Sequence, residues 1–216
     1  MKTKVSIIRV ICLILILAVV SPLLMGCGES LNENGTYVLI TFQDYGSILL
    51  SLSPEDAPIT VAHFLALVNE KFYDGLPIIR IQDGFVIQGG EDASGTVEPI
   101  KGEFYANGVN NRVSHIKGVI SMARTSDYNS ATSQFFLCLD NSCTYSLDGL
   151  YAGFGYTIAG MENVEKLVAA CKQYGSGSMG FIADESKMPI IKSARVLTVK
   201  EAETYYNHPK KLAKLK

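Results

Sequence analysis

The sequence predicts a mainly β fold, namely a closed eight-stranded antiparallel β-barrel capped by two α-helices. The first observation behind this prediction is a series of short apolar segments that are separated by turns rich in glycine, asparagine and aspartate. The second is that successive apolar segments follow one another across tight turns, as the strands of antiparallel hairpins do. The third is that just two segments repeat their apolar residues at helical spacing.

The predicted strands begin after a short polar stretch. TYVLITF and SILLSLS, at residues 36–42 and 47–53, are joined by QDYG, which places a glycine at the turn of a hairpin. LPIIRI and GFVIQ form a second hairpin across QDG, and a short strand, IKGEF, is expected inside the long loop of residues 89–114. The remaining predicted strands are KGVISMAR, SQFFLCL, YAGFGYTIA and PIIKSARVLTVK.

Two segments have the apolar spacing of amphipathic helices. The first is entered near Pro58, and the second covers residues 161–172. Each places apolar residues at positions i, i+3, i+4 and i+7, so one face of each helix is apolar and is expected to cover the barrel. These residues are Val61, Phe64, Leu65 and Val68 in the first helix, and Val164, Leu167, Val168 and Cys171 in the second.

Residues 1–26 have the pattern of a secretory signal. A basic start leads into an apolar run over residues 10–20, which is short for a membrane span. Leu-Met-Gly-Cys at residues 24–27 resembles the lipobox of bacterial lipoproteins, in which cleavage precedes a cysteine that is then lipidated. We therefore predict a lipoprotein signal peptide and acylation (palmitate) at Cys27, which anchors the protein to the extracytoplasmic face of the cell membrane. The alternative is an ordinary signal peptide that ends in a chance cysteine.

The charge of the remaining chain argues against a nucleic-acid partner. Removal of residues 1–26 takes away three of the 19 basic residues and none of the 21 acidic ones, which leaves a net charge of −5. We expect a lipid-anchored linker over 27–35, a single domain over 36–200 and a basic C-terminal tail over 201–216, and the protein is expected to be a monomer. The tail is either solvated or in weak contact with anionic lipid near the anchor.

Neither the cysteines nor the histidines have the spacing of a metal site. Cys138, Cys143 and Cys171 remain once Cys27 is lipidated, and this odd number without a CxxC pair indicates small buried apolar residues rather than a disulfide framework. A bridge between Cys138 and Cys143 stays possible in principle. The histidines are scattered, and no nucleophile elbow surrounds any serine. The expectation is that the protein has no metal and no cofactor.

The stretch GSGSMG at residues 175–180 matches the dinucleotide-binding pattern GxGxxG by its letters alone. That pattern requires a preceding strand and a following helix. Here the stretch follows the second predicted helix and leads toward a strand. We therefore interpret it as a helix C-cap and a loop.

A charged residue and an amide residue interrupt two apolar strands of the second hairpin. Arg80 is flanked by isoleucines, and Gln88 ends the strand that contains Phe85 and Val86. Because the two residues lie on neighbouring strands, their side chains are expected on one face. A structural salt bridge is one interpretation, but neither strand supplies a carboxylate. The other interpretation is a fixed cation and a carboxamide beside an apolar pocket, to which Phe136 also contributes.

Three motifs in order resemble the signatures of the cyclophilin family. FYDGLPIIRIQDGFVIQGGED resembles its first signature, GVISMARTSDYNSATSQFFLCL its second, and SLDGLYAGFG its third. The resemblance runs from about residue 36 to residue 200, so it covers nearly the whole predicted domain. It implies a cyclophilin-like β-barrel and peptidyl-prolyl cis–trans isomerase activity.

The resemblance implies a role for each residue of the site. The family's catalytic arginine falls on Arg80, and the backbone that holds the substrate chain falls on Arg124. The chain departs from the family at Ile78-Ile79, at Ser146 in place of a tryptophan or phenylalanine, and at Tyr151 in place of a histidine. The substrate-binding positions are Phe85, Val86, Gln88, Ala123, Arg124, Gln134, Phe136, Leu147 and Tyr151.

The implied partners are proline-containing polypeptides that are unfolded or flexible, and in particular exported proteins. Ser146 bears on cyclosporin binding more than on catalysis, because the arginine and the proline pocket are retained. A catalytically weak peptide-binding or chaperone module is the alternative, because a fold does not determine a function. A purely structural lipoprotein would leave Arg80, Gln88 and Gln134 unexplained.

Overall fold

A ten-stranded antiparallel sheet is the framework of the domain in the computed structural model, which describes residues 30–215 of the chain. The strands lie in the order β10-β1-β2-β7-β5-β6-β4-β3-β9-β8. They are β1 Thr36–Phe42, β2 Gly46–Leu52, β3 Ile78–Gln82, β4 Val86–Gly89, β5 Val119–Met122, β6 Phe135–Cys138, β7 Gly153–Ala159, β8 Gly175–Ser176, β9 Phe181–Ile182 and β10 Ile191–Leu197.

The predicted closed, eight-stranded barrel is not what the structure contains. The sheet ends at β10 on one side and at β8 on the other. The start of β10 and the residues before it meet the segment before β3 through an isolated bridge between Pro77 and Ile190 and through backbone hydrogen bonds of 2.7–2.8 Å. A proline has no N–H to donate, so Pro77 and the nearby Pro189 interrupt a continuous ladder at this seam. The two additional strands, β8 and β9, form a hairpin outside β3.

Four α-helices accompany the sheet in the described part of the chain, where the sequence predicts two. The two predicted helices are present as α1 and α3, and α1 begins with Pro58 at its first turn, where a missing N–H costs no hydrogen bond. Short 3₁₀ helices occur at Tyr105–Asn107, Asn141–Cys143, Lys172–Tyr174, Glu185–Lys187 and Pro209–Lys214. The α-helices are α1 Pro58–Asn69, α2 Thr144–Leu147, α3 Met161–Cys171 and α4 Val199–Tyr206.

Aromatic rings form the centre of the main apolar core. The ring of Phe64, from α1, lies 5.2 Å from Tyr73, 5.0 Å from Phe154 and 6.0 Å from Phe135, measured between ring centroids. Tyr73 also contacts Phe135 edge to face at 5.5 Å. Because Phe135 begins β6 and Phe154 lies in β7, this cluster fixes two central strands of the sheet, and β6 carries Phe136 of the cleft described below.

The segment predicted as the strand IKGEF instead caps a helix. Ile100 makes an isolated bridge to Ala131, and the chain then turns so that Glu103 reaches the start of α1. The side chain of the N-cap residue of α1 makes no hydrogen bond to the first turn of the helix. The Glu103 carboxylate accepts hydrogen bonds from the N–H of Ile59 at 3.0 Å, the N–H of Thr60 at 2.7 Å and the Thr60 hydroxyl at 2.7 Å. Glu103 therefore satisfies N–H groups at the start of α1 that have no partner within the helix.

The C-terminal region packs on the domain and crosses the predicted boundary at residue 200. Helix α4 begins with a capping box in which Thr198 and Glu201 bond reciprocally. The 3₁₀ helix after it buries Leu212 completely, while Lys210, Lys211 and Lys214 stay exposed. This region is therefore folded, and its lysines form the solvated side.

The predicted signal peptide and Cys27 lie outside the described residues. Within residues 30–215, no helix combines the length and the apolar character that a membrane span requires.

Candidate functional site

The β3–β4 hairpin sets Arg80 and Gln88 side by side. The two residues are direct partners in the register, and the turn between their strands contains Gly84 with a φ of 71°. A left-handed φ suits glycine because it has no Cβ. Nη1 of Arg80 donates a hydrogen bond to Oε1 of Gln88 at 3.1 Å. A cation and a carboxamide thus share one face of the hairpin.

The guanidinium of Arg80 is held by neutral groups. Nε donates to the backbone carbonyl of Met179 at 2.7 Å, and Nη2 donates to the side chain of Gln82. The rings of Phe85 and Phe181 lie 5.9 Å and 5.6 Å from its central carbon. Burial lowers the pKa of Arg80 from its usual value, although an arginine stays charged near neutral pH. Three of its five N–H groups are occupied by these bonds, which leaves two for a substrate.

Gln134 reaches the site through Gln88. Nε2 of Gln88 donates to Oε1 of Gln134 at 2.8 Å, so Gln88 joins Arg80 and Gln134 in one chain of hydrogen bonds. Gln134 precedes β6, and its carbonyl accepts from the N–H of Ala123 at 2.9 Å. Its side chain supports the cleft from behind Gln88 and is absent from the set that lines it.

An apolar cleft with a volume of about 420 Å³ lies beside Arg80. Val86, Phe136 and Leu147 are buried and form its floor. Tyr151 meets Phe136 edge to face, with ring centroids 5.6 Å apart. Except for Gln134, the structure brings every predicted site residue of the described chain to the cleft wall, namely Arg80, Phe85, Val86, Gln88, Ala123, Arg124, Phe136, Leu147 and Tyr151.

The Arg124 side chain holds the rim of the cleft together. Its guanidinium carbon lies 5.1 Å, 4.9 Å and 4.6 Å from the ring centroids of Phe104, Tyr128 and Tyr151. Its Nη2 and Nε donate to the carbonyl of Leu150 at 2.8 Å and 3.1 Å. The backbone N–H and C=O of Arg124 make no hydrogen bond to any residue within 30–215. The sequence predicted that this backbone binds the substrate chain, but it did not predict the contacts of the Arg124 side chain. The three rings around it come from other parts of the sequence, so no local pattern indicates them.

Three further residues line the cleft that are outside the predicted catalytic and substrate-binding set. Ser146 comes from α2, while Met179 and Phe181 come from the β8–β9 hairpin. The stretch GSGSMG was interpreted as a C-cap and a loop, but residues 175–182 form the hairpin whose second strand pairs Phe181 with Arg80. The available signal was the apolar pair Phe181-Ile182 directly after a glycine-rich turn.

A buried His115 stands behind the cleft. Its ring stacks on Phe136 with centroids 6.0 Å apart, Nδ1 bonds to Oδ1 of Asp148 at 2.8 Å, and Nε2 bonds to Oγ of Ser121 at 2.9 Å. Ser121 and His115 are both fully buried, so the serine cannot meet a substrate, although these are the residue types of a hydrolase triad. Burial lowers the pKa of His115 and outweighs the opposing effect of Asp148. The neutral ring therefore supports Phe136.

The described residues contain no group of three or more histidine, cysteine, aspartate or glutamate side chains that could hold a metal ion. Cys138, Cys143 and Cys171 are free and buried, which agrees with their interpretation as small apolar residues. The Cys143 thiol donates to the carbonyl of Phe85 and so fixes the start of β4.

The cleft and the sheet together point to one family of proteins. The family model described as "Cyclophilin type peptidyl-prolyl cis-trans isomerase/CLD" matches residues 37–192. The chain belongs to the cyclophilin family. This confirms the predicted family and the predicted mainly β fold, while the number and closure of the strands are corrected above.

Curated relatives and solved structures agree with this assignment. This cyclophilin is 34% identical to peptidyl-prolyl cis-trans isomerase A of Dickeya dadantii over 166 residues, which cover 75% of this chain and 85% of that protein. It is 34% identical to peptidyl-prolyl cis-trans isomerase B of Escherichia coli over 165 residues, which cover 71% and 95%. A crystal structure of a Cryptosporidium parvum cyclophilin type isomerase matches with a TM-score of 0.62 at 25% identity, over 76% of this chain and 98% of that one.

Proposed function

We propose that this domain accelerates the cis–trans isomerisation of X-Pro peptide bonds in exported polypeptides, with Arg80 as its catalytic residue. The domain is a cyclophilin-type peptidyl-prolyl cis–trans isomerase, as its relatives at 34% identity are named. The observation that carries the proposed mechanism is a fixed guanidinium with two unused N–H groups at the wall of an apolar cleft.

The reaction needs a group that binds the twisted peptide bond more tightly than the planar one. Resonance holds an X-Pro bond planar behind a barrier of roughly 18–20 kcal/mol, so the uncatalysed reaction takes tens of seconds or more. In the twisted transition state the resonance is lost, and the prolyl nitrogen acquires a lone pair that accepts a hydrogen bond. A donor aimed at this nitrogen stabilises the transition state selectively, and that difference accelerates the reaction.

The other residues of the cleft bind the substrate and orient Arg80. Val86, Phe136 and Leu147 offer an apolar floor for the proline ring, which then stays fixed while the residue before it rotates. The unpaired backbone N–H and C=O of Arg124 suit an extended chain on the side of that residue. Gln88 keeps Arg80 in place through its side-chain oxygen. None of these steps moves a proton to or from the enzyme.

The activity test compares Arg80 variants on a short X-Pro peptide. We expect NMR exchange measurements to show acceleration by the wild-type domain and a loss of most of it in Arg80→Ala. Arg80→Lys keeps a charge but lacks the planar guanidinium fork, which directs several N–H donors in fixed directions, so it should recover little. Arg112→Ala is the matched control, because Arg112 is an exposed arginine that bonds to Asp56 away from the cleft. Equal rates in wild type and Arg80→Ala would refute the mechanism, and peptide binding without acceleration would instead indicate a peptide-binding module.

We further propose that the protein is a lipoprotein whose domain meets its substrates outside the cytoplasm. The support is the sequence alone, namely the basic start, the apolar run and the lipobox-like residues 24–27. Proteins cross a membrane unfolded, so slow X-Pro bonds limit their folding there. In a bacterial host, full-length protein should appear in the membrane fraction with an acylated Cys27, and Cys27→Ser should carry no acyl group and keep residues 1–26. Recovery of unprocessed wild-type protein from the cytoplasm would contradict this proposal.

A further inference from the structure

Two apolar side chains stand exposed at the edge of the cleft. Met179 is 51% exposed and Phe181 is 44% exposed, and both line the cleft next to Arg80. Single exposed apolar residues are common on protein surfaces and need no explanation. Here, however, the two side chains continue the apolar wall of a binding cleft beyond its catalytic arginine, and such contiguity is typical of a ligand-binding surface.

The backbone of the β8–β9 hairpin is fastened to β3 independently of these side chains. The N–H of Ile81, on β3, donates to the carbonyl of Gly180 at 2.8 Å, and within the hairpin the hydroxyl of Ser176 donates to the carbonyl of Phe181 at 2.9 Å. Gly180 has a φ of 73°, and a Cβ at this position would lie 2.3 Å from the carbonyl oxygen of Ile81. The approach therefore requires glycine. It holds the hairpin in place without using the side chains of Met179 and Phe181, which stay partly exposed to a ligand.

The order of the strands places this hairpin opposite the backbone of Arg124. β9 lies on the outer side of β3, whereas Arg124 follows β5, which is separated from β3 by β4 and β6. Arg80, on β3, therefore lies between the two. A peptide whose residue before proline meets Arg124, and whose prolyl nitrogen meets Arg80, continues toward the hairpin with the residue that follows proline.

We propose that Met179 and Phe181 form a second substrate subsite, which takes an apolar side chain at the position directly after proline. The proposal rests on the isomerase function proposed above and makes it specific to sequences of the type X-Pro-apolar. A thioether and an aromatic ring form its surface, and Met adapts to side chains of different shape. Ser146, which also lines the cleft, has a small side chain and leaves the approach to this surface open.

The test uses peptide pairs that differ at this single position, Ala-Ala-Pro-Leu-Ala and Ala-Ala-Pro-Gly-Ala. Both are uncharged at the varied position, so the charge of Arg80 does not favour either of them. We expect the wild-type kcat/KM for the leucine peptide to exceed that for the glycine peptide by about fivefold, as partial burial of one leucine side chain implies. Met179→Ser and Phe181→Ser should each lower this ratio, and together they should bring it close to one.

The glycine peptide separates the subsite from effects on Arg80. Met179 bonds to Arg80 through its backbone carbonyl, which the Met179→Ser variant retains. Any general loss of catalysis therefore lowers both rates and leaves their ratio unchanged, whereas loss of the subsite changes the ratio. Tyr145→Ser is the matched control, because Tyr145 is 93% exposed, neighbours Ser146 and is outside the cleft lining. It should keep the wild-type ratio.

Binding measurements keep the two proposals distinguishable. Dissociation constants for both peptides, obtained by NMR titration, should show the same preference as the rates. A wild-type ratio near one in both measurements, or a ratio that survives in the double variant, would overturn the subsite. If neither peptide is isomerised faster, the isomerase function fails, and the ratio of dissociation constants still decides whether the subsite exists.

Discussion

Gln88 is hydrogen-bonded to Arg80 at one end of its amide and to Gln134 at the other. Its oxygen accepts from Nη1 of Arg80 at 3.1 Å, and its nitrogen donates to Oε1 of Gln134 at 2.8 Å. The orientation of the guanidinium therefore depends on an amide that has both an acceptor and a donor. A carboxylate or an alkyl chain of similar size satisfies one of these bonds or neither.

Replacing Gln88 by leucine should lower kcat more than it raises KM, because the apolar floor remains while Arg80 loses an orienting partner. We expect a decrease of about 10- to 100-fold in kcat/KM, the size typical of a misplaced catalytic group. Exchange NMR on an X-Pro peptide measures the rate, and urea denaturation verifies that the variant is folded. A Gln88→Leu protein with the wild-type kcat would mean that Arg80 orients itself without the amide.

Arg124→Lys should destabilise the domain by about 1 kcal/mol and raise KM. Lysine keeps the charge but loses the two bonds to the carbonyl of Leu150 and the planar stacking on Phe104, Tyr128 and Tyr151. Urea denaturation gives the free energy of unfolding, and peptide titration gives the affinity. Lys187→Ala is a suitable control, because it removes a cation that lies over the ring of Tyr174 away from this rim. Unchanged affinity in a destabilised Arg124→Lys protein would restrict the role of the side chain to folding.

Glu103→Ala should cost about 2–3 kcal/mol of unfolding free energy. The substitution leaves the N–H and the hydroxyl of buried Thr60 without their acceptor at the start of α1. Glu103→Gln keeps one acceptor oxygen and should cost less. Glu98→Ala, at an exposed glutamate of the same loop, should change the stability little. Equal effects of the alanine substitutions at Glu103 and Glu98, in urea denaturation, would refute the capping role.

The domain should lose stability as the pH falls from about 7.5 to 5, in part because of His115. Its pKa is lowered in the folded state by burial, so the unfolded chain binds the proton first as the pH passes below the ordinary histidine value. The unfolded state is then favoured until the native imidazole is protonated as well. Urea denaturation at several pH values should show a shallower pH dependence for His115→Gln. His63 and His208 are present in both proteins, so their contributions cancel. Parallel curves for the two proteins would exclude His115 as the source.

Features with a complete local signal were predicted from the sequence. Helices α1 and α3 each carry a full apolar repeat, and the turns QDYG and QDG define the hairpins β1–β2 and β3–β4. The contact between Arg80 and Gln88 follows from the second hairpin, because residues equally distant from a tight turn become partners. The Gln88–Gln134 bond depends in addition on the pairing of β4 with β6, which the motif alone does not give.

Features that depend on distant segments were missed. β8 and β9 are each two residues long, which is too short for an alternation of polar and apolar residues to predict a strand. The position of β9 is set by its pairing with Arg80 on β3. Leu212 lies in a lysine-rich segment and is buried because the chain returns to the region of Gly46 and Gly160. The interrupted ladder at Pro77 likewise depends on Pro189, more than a hundred residues away in the sequence. Each of these outcomes is set by a tertiary partner rather than by local composition.

The hairpin beside β3 also limits the strand edge that the sheet offers to other chains. Unfolded polypeptides are extended chains, and an uncovered strand edge recruits such chains through its free N–H and C=O groups, which is a first step toward aggregation. β9 occupies the outer side of β3 next to Arg80, and the sheet ends there in strands of two residues. An extended chain finds no long ladder to lengthen at this edge. Under the function proposed above, a client chain is held by its proline in the cleft, and the short edge beside the cleft gives it no template for aggregation.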